Sequence, residues 1–257
     1  MLLKTFIFIL GSVVGSFLNV CIHRLPRSES IAYPPSHCVH CNNRLYWYDN
    51  VPFLSYIFLR GRCRFCRRRI SPRYFLVEFL TALLWLFFFM AFGLSAKFVL
   101  MAALGSALVA ATSIDFDFQI IPDSITVGGV VIGIIAMSLF PAAIGETTRQ
   151  AAFLSSILGA VVGGGSIYLI GVLGKMAFKK EAMGGGDVKL MSMIGAFLGW
   201  KLGLLVFFVA PFFGAFVGII LKLKYKIETI PYGPYISLAT IIVIFWGEKI
   251  LRYIFPY

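Results

Sequence analysis

Two aspartates stand where an apolar chain rarely carries a charge. Asp115 closes one apolar run, and Asp187 follows the triplet Gly184-Gly185-Gly186 directly ahead of another. An ionisable side chain at a membrane edge is costly and is a functional candidate by default. Two carboxylates are also the minimum for activating water against a peptide bond, one as general base and one as general acid. The glycines carry no side chains, so an extended substrate backbone can approach Asp187 and the loop can take positive φ. Asp117 and Asp123 compete with Asp115 as partners. Asp123 follows Pro122 and precedes the run from Ile125, which suits a cap on the next helix. Asp117 falls in a loop and ranks second to Asp115.

Helix ends suggest how the pair divides its work. Asp187 at a helix N-terminus is placed to be the ionised base, and Asp115 at a helix C-terminus to be the proton-carrying acid. A close pair shares its proton, so these roles can exchange. The simpler reading of each aspartate is a solvated helix end, and it suits Asp187 better than Asp115, because an anion at a C-terminus opposes the helix dipole.

A second constellation lies upstream. Cys38-Val39-His40-Cys41 and Cys63-Arg64-Phe65-Cys66 are two Cys-x-x-Cys knuckles 21 residues apart, close to the spacing of four-cysteine zinc sites. The loop carrying them is too small to build much of a core, so a structural zinc held by Cys38, Cys41, Cys63 and Cys66 makes physical sense. His37 and His40 are expected beside the site, and Cys21 is expected as a small buried apolar residue. The basic cluster Arg60, Arg62, Arg64, Arg67, Arg68 and Arg69 precedes an apolar run. It reads as headgroup contact, and no nucleic-acid partner is expected.

These residues must be positioned by membrane helices. The 257 residues are 60% hydrophobic and 13% charged, with mean hydropathy +0.90, which excludes an ordinary soluble domain. The expected fold is an all-α polytopic membrane protein of about eight transmembrane helices, with a small zinc-stapled cytoplasmic domain between helices 1 and 2. Apolar stretches near 2–21, 74–92, 96–114, 124–140, 151–173, 202–221 and 235–251 approach the roughly 20 residues a bilayer demands. A shorter one, 188–200, supplies an eighth crossing or a short tilted segment. With the N-terminus outside, inner segments hold seventeen Lys and Arg and outer segments six, a clear positive-inside bias. Both aspartates then fall on the cytoplasmic face, and the cysteines in a reducing compartment, which disfavours disulfides. The first stretch has no small-residue cleavage site after it and reads as an uncleaved anchor. The expected division is 1–21 as first span, 22–73 as zinc domain and 74–257 as transmembrane core.

Several segments together resemble a known family. Gly15-Ser16-Phe17-Leu18-Asn19-Val20 with His23-Arg24-Leu25-Pro26, the paired knuckles, Ile114-Asp115 leading to Ile121-Pro122-Asp123, Met183 through Asp187, and Pro231-Tyr232-Gly233-Pro234-Tyr235 look like the type IV prepilin peptidases. The resemblance spans nearly the whole chain. It implies a bacterial inner-membrane aspartyl peptidase that removes the short basic leader of prepilins or pseudopilins after a Gly. It also implies N-methylation of the exposed residue with S-adenosylmethionine, an activity that accompanies the cysteine-bearing loop. Asp115 and Asp187 match the family's catalytic aspartates, and the four cysteines its tetrad. Ile120-Ile121 replaces the usual Leu-Leu. No Rossmann-type glycine cradle is present, so the methyl-donor site is unassigned; Glu78 is a candidate, against the plainer reading of a polar helix contact. A proton-coupled transporter would be expected to carry its aspartates at mid-membrane, often in repeated halves. A zinc-stapled scaffold would leave the Gly-Gly-Gly-Asp segment without purpose.

Overall fold

The computed structural model describes residues 1–179, 183–225 and 230–255. Lys180 and Lys226, two of the cations that the charge count expects on the inner face, lie outside the described residues. The chain forms two compact units, Met1–Leu94 and Ser95–Tyr257.

In the first unit, α1 (Leu2–Arg24) packs on α3 (Pro72–Phe92). Residues 74–92, grouped by sequence with the C-terminal core, therefore lie with the N-terminal helix. A tight crossing explains this: a Cβ on Gly11 would lie 2.9 Å from the Ala82 Cα, and one on Gly15 would lie 2.6 Å from the Glu78 Cα. Gly11 and Gly15 are four residues apart and share one helix face, the small-residue pattern by which helices approach in lipid. Ser71 caps α3 by accepting the Arg73 N–H, with Pro72 at the first helical position. Between the two helices, a loop carries the knuckles and the short α2 (Leu54–Phe58). Phe53 anchors that loop, its ring 5.4 Å from Phe75 and 5.8 Å from Phe8.

The second unit contains α4 (Ala96–Phe118), α5 (Asp123–Leu139), α6 (Arg149–Phe178), α7 (Gly185–Tyr225) and α8 (Gly233–Ile254). Ser95 and Thr148 cap α4 and α6 by accepting the N–H of the third residue of each helix, Phe98 and Ala151. The long run of α7 is not straight, because Gly199 has φ 74° and ψ 171°. Eight residues of straight helix span about 12 Å, yet a Cβ on Gly203 would sit 3.2 Å from the Gly195 Cα. The helix therefore doubles back at Gly199 into two limbs. Gly159 and Gly163 of α6 meet Gly195 and Met191 of α7, and a Cβ on Gly159 or Gly195 would overlap the other's carbonyl oxygen.

The expectation of about eight spans needs adjustment. Among the described residues six helices are long and apolar enough to cross a membrane, when Gly185–Ile220 is counted as one. Helix α5 has 17 residues and the first limb of α7 about 14, roughly 25 Å and 21 Å at 1.5 Å per residue. Both fall short of the roughly 30 Å hydrocarbon core.

Candidate active site and cysteine cluster

Asp115 sits one turn before the end of α4, which terminates where Gln119 turns left-handed at φ 53°. Its side chain is 5% exposed, and Oδ2 accepts the Gly233 N–H at 2.9 Å. That donor belongs to the first residue of α8, whose N–H has no partner within its own helix. The Asp115 carboxylate thus closes the start of α8 from 118 residues away.

Asp187 lies in the first turn of α7, two residues beyond its first residue. It is not the cap itself. Its Oδ2 accepts the Gly184 N–H at 3.3 Å while its own N–H donates to the Gly184 carbonyl at 3.1 Å, the reach-back of a capping box. The two aspartates come together: Asp187 is close enough to Asp115 and to the Tyr232 hydroxyl for their charges to interact. Burial, and then the Asp187 charge, push the Tyr232 hydroxyl up to about 12, so it stays a neutral O–H donor.

Ile121 is the wedge between the two segments. It is 7% exposed. A Cβ on Gly186 would meet the Ile121 Cβ at 3.2 Å, and one on Gly233 would meet the Ile121 Cδ1 at 3.2 Å and Asp115 Oδ2 at 2.7 Å. The positive φ expected of the glycine triplet is not found. None of Gly184, Gly185 and Gly186 is among the positive-φ glycines; Gly186 permits close packing on Ile121, Gly184 donates to Asp187, and Gly185 faces open space.

The competing aspartates take other positions. Asp123 makes no side-chain cap on α5, where Pro122 is the N-cap. Its carboxylate instead holds the Lys189 ammonium at 2.6 Å and 2.8 Å, joining the N-terminal ends of α5 and α7. The pair is exposed, so its contribution is about 0.2–1 kcal/mol. Asp117 is exposed on the last turn of α4. Gly233, Tyr232 and Ile121 are the site residues whose roles sequence reasoning did not reach.

In the first unit, the Sγ atoms of Cys38, Cys41, Cys63 and Cys66 lie within 4.8 Å of one another. Cys38 and Cys66 are 3.9 Å apart, near the ~3.8 Å edge of a tetrahedron with metal–sulfur bonds of about 2.3 Å. The knuckles repeat one design. Each first cysteine donates its N–H five residues on, to Asn43 or Arg68, and accepts from the residue four on, Asn42 or Arg67. Asn42 and Arg67 both adopt φ near 57°. Burial opposes ionisation of Cys38, but the His40 and Cys41 N–H groups and the neighbouring thiols outweigh it and bring Cys38 down to about 7. The chemistry and spacing of these donors fit a metal ion. His40 is exposed and His37 turns its Nδ1 to the Pro35 carbonyl, so neither joins the four sulfurs. Cys21 is buried, as expected.

Glu78 is 9% exposed and accepts the Phe53 N–H at 3.1 Å, a contact that ties the loop to α3.

Residues 9–92 match the bacterial peptidase A24 N-terminal domain, and residues 102–219 the type IV leader peptidase family. A prepilin leader peptidase/N-methyltransferase of Myxococcus xanthus is 43% identical over 222 residues, covering 86% of this chain but 64% of that protein, less than two thirds of its length. Proteins of the same name from Pseudomonas putida and Aeromonas hydrophila are each 34% identical. Those matches cover 94% and 96% of this chain, and 90% and 92% of the relatives. No solved structure matches the chain. With both domains matched in order and its relatives aligned over most of its length, this multi-pass membrane protein belongs to the type IV leader peptidase family.

Proposed function

We propose that the protein is a bifunctional membrane enzyme. It cleaves the basic leader from type IV prepilins or secretion pseudopilins and N-methylates the new N-terminus, with S-adenosylmethionine as methyl donor. The observation that carries the peptidase reading is the meeting of Asp115 and Asp187 from two different helix ends, each with one oxygen held by a backbone N–H. One ionised carboxylate takes a proton from water as the water oxygen attacks the scissile carbonyl. The other, protonated, donates to the carbonyl oxygen. Collapse then breaks the C–N bond, and the amine leaves with a proton returned by the pair.

The names of the relatives support the methyltransferase half. The four cysteines would hold a structural zinc that ties the two knuckles of the loop together. The charge count supports a bacterial inner-membrane protein with its N-terminus outside and its dyad facing the cytoplasm.

Leader removal from a prepilin, followed by mass in detergent or nanodiscs, tests the reading. Asp115→Asn and Asp187→Asn each lower cleavage by at least 10³-fold. Turnover within tenfold of the parent by either variant sinks the dyad.

A further inference from the structure

Two contacts of different kinds join the α4–α5 corner to the start of α7. Ile121 packs on Gly186, and both oxygens of the Asp123 carboxylate accept from the Lys189 ammonium, at 2.6 Å and 2.8 Å. Further along, a Cβ on Gly129 would meet the Met193 side chain, and one on Gly133 would lie 2.8 Å from the Phe197 ring. Each of these residues thus meets one 64 to 66 positions further along the chain. A steady offset means that α5 and the first limb of α7 run parallel, with their N-terminal ends side by side. At that offset Asp123 holds the place on α5 that Asp187 holds on α7.

The start of α7 is the part of this pairing that most needs support. It opens on Gly185 and Gly186, and glycine is the poorest helix former after proline. The first four N–H groups of any helix lack partners within it, and helix ends fray. Asp187 sits in this turn, yet a catalytic carboxylate must stay within about 0.5 Å of its working position. The reach-back to Gly184 closes the turn on its own chain and attaches it to nothing else. The Ile121 contact sets how closely α7 approaches the corner, but a glycine surface offers little resistance to sliding along the helix axis. Two charge-assisted hydrogen bonds are directional and fix that axial position. Lys189 turns to Asp123; among the described residues it makes no ion pair with Asp187, two positions before it. Its effect on the dyad is therefore carried by the backbone.

We propose that Asp123 and Lys189 are positioning residues for the peptidase site. Their ion pair pins the first turn of α7 to the α4–α5 corner and so sets Asp187 against Asp115. The proposal rests on the peptidase reading above. Neither residue touches the reacting atoms. The Lys189 side chain is 45% exposed and that of Asp123 64%, so the pin is modest in strength and weakened by salt. It acts on the turnover step more than on the fold.

The test is single-turnover leader removal from a prepilin, with the full chain in nanodiscs of uncharged phosphatidylcholine. Lys189→Met and Asp123→Asn each lower the saturating rate about three- to fivefold and leave the half-saturating concentration within twofold of the parent. The double variant is no slower than the slower single, because each change removes the same interaction. Lys189→Arg keeps a charge-assisted bond to Asp123 and stays within twofold of the parent. A second measurement needs no variant: raising salt from about 50 mM to about 500 mM lowers the parent's saturating rate about twofold, while Lys189→Met does not respond. Melting temperature reports whether each variant folds. The assignment is overturned by losses that multiply in the double variant, by a folded single variant within 1.5-fold of the parent, or by a loss confined to the half-saturating concentration. A Lys189→Arg rate as low as that of Lys189→Met, or an equal salt response in parent and Lys189→Met, overturns it as well. If the parent does not cleave, or cleaves equally well after Asp115→Asn or Asp187→Asn, the peptidase reading falls and the pin with it. If the parent cleaves, both Asn variants are dead and Lys189→Met keeps the parent rate, only the pin falls.

Discussion

Adding one methyl group at Gly233 separates positioning of the carboxylate from its mere presence. In Gly233→Ala the new Cβ would sit 2.7 Å from Asp115 Oδ2 and 3.4 Å from its Cγ. Ordinary close carbon–oxygen contacts are about 3.3 Å, so the carboxylate must retreat by roughly 0.6 Å. That exceeds the ~0.5 Å within which a catalytic group must be held, and it lengthens or breaks the 2.9 Å bond from the Gly233 N–H. A hydrogen bond to a charged group contributes about 1.5–3 kcal/mol, equivalent to roughly 10- to 100-fold in rate if it is lost in the transition state. Cleavage by Gly233→Ala should therefore fall by about one to two orders of magnitude, chiefly in kcat, since Gly233 acts through Asp115. The assay is single-turnover leader removal followed by mass, with melting temperature as a check on folding. The same Cβ would also press on the Ile121 Cδ1 at 3.2 Å, which permits an internal control. Ile121→Val opens that contact and leaves the one to Asp115, so the double variant should stay slow. Cleavage within threefold of the parent, or full rescue by Ile121→Val, refutes the claim that Gly233 sets the carboxylate.

Three further outcomes follow from the geometry. Tyr232→Phe removes an O–H donor close to Asp187 and should lower cleavage by about tenfold. Because the Tyr232 hydroxyl is pushed up to about 12, it stays protonated below that value, and any alkaline fall in rate below pH 10 should persist unchanged in Tyr232→Phe pH–rate profiles. Gly159→Ala places a methyl group against the Gly195 carbonyl in the α6–α7 crossing, and should destabilise the second unit by about 1–3 kcal/mol, read as a lowered melting temperature in detergent. Protein purified without chelator should carry one zinc per chain by metal analysis, and Cys63→Ser should carry less than a fifth of that; full occupancy in the variant would show that four sulfurs are not required.

The two aspartates proposed as a dyad were legible because a carboxylate in an apolar setting is rare and the two sat at helix ends. Their surroundings were not. Gly233 acts on Asp115 across 118 residues, and Lys189 takes Asp123 across 66, which is why a capping role for Asp123 looked sound locally and failed. Local propensity carries no information on such pairings. The cysteine spacing was legible for the opposite reason, since each knuckle closes within five residues. A signal that was present and unused is the four-residue repeat of glycine: Gly11 and Gly15, Gly159 and Gly163, and Gly195, Gly199 and Gly203. In apolar helices that period marks a crossing. It would have marked those faces of α1, α6 and α7 as crossing surfaces.

Those crossings bear on function as well as fold. Lipid tails are as apolar as the helices, so burial of greasy surface does not hold helices together; close packing does. In the first unit the crossing at Gly15 presses directly on Glu78. In the second, Gly164 faces Ser192 and the Val188 carbonyl, the latter one residue from Asp187, and Gly186 rests on Ile121. Glu78 thus lies at the tightest backbone contact of its unit, whereas Asp187 sits beside a looser one, the Gly159–Gly195 crossing being the tightest in the second. At Gly186, where the added methyl group would meet Ile121 at 3.2 Å, a shift of tenths of an ångström suffices, too little to expel a helix from the bilayer, yet comparable to the tolerance of a catalytic carboxylate. There activity should fail before assembly does, and Gly186→Ala should insert and purify while cleaving poorly.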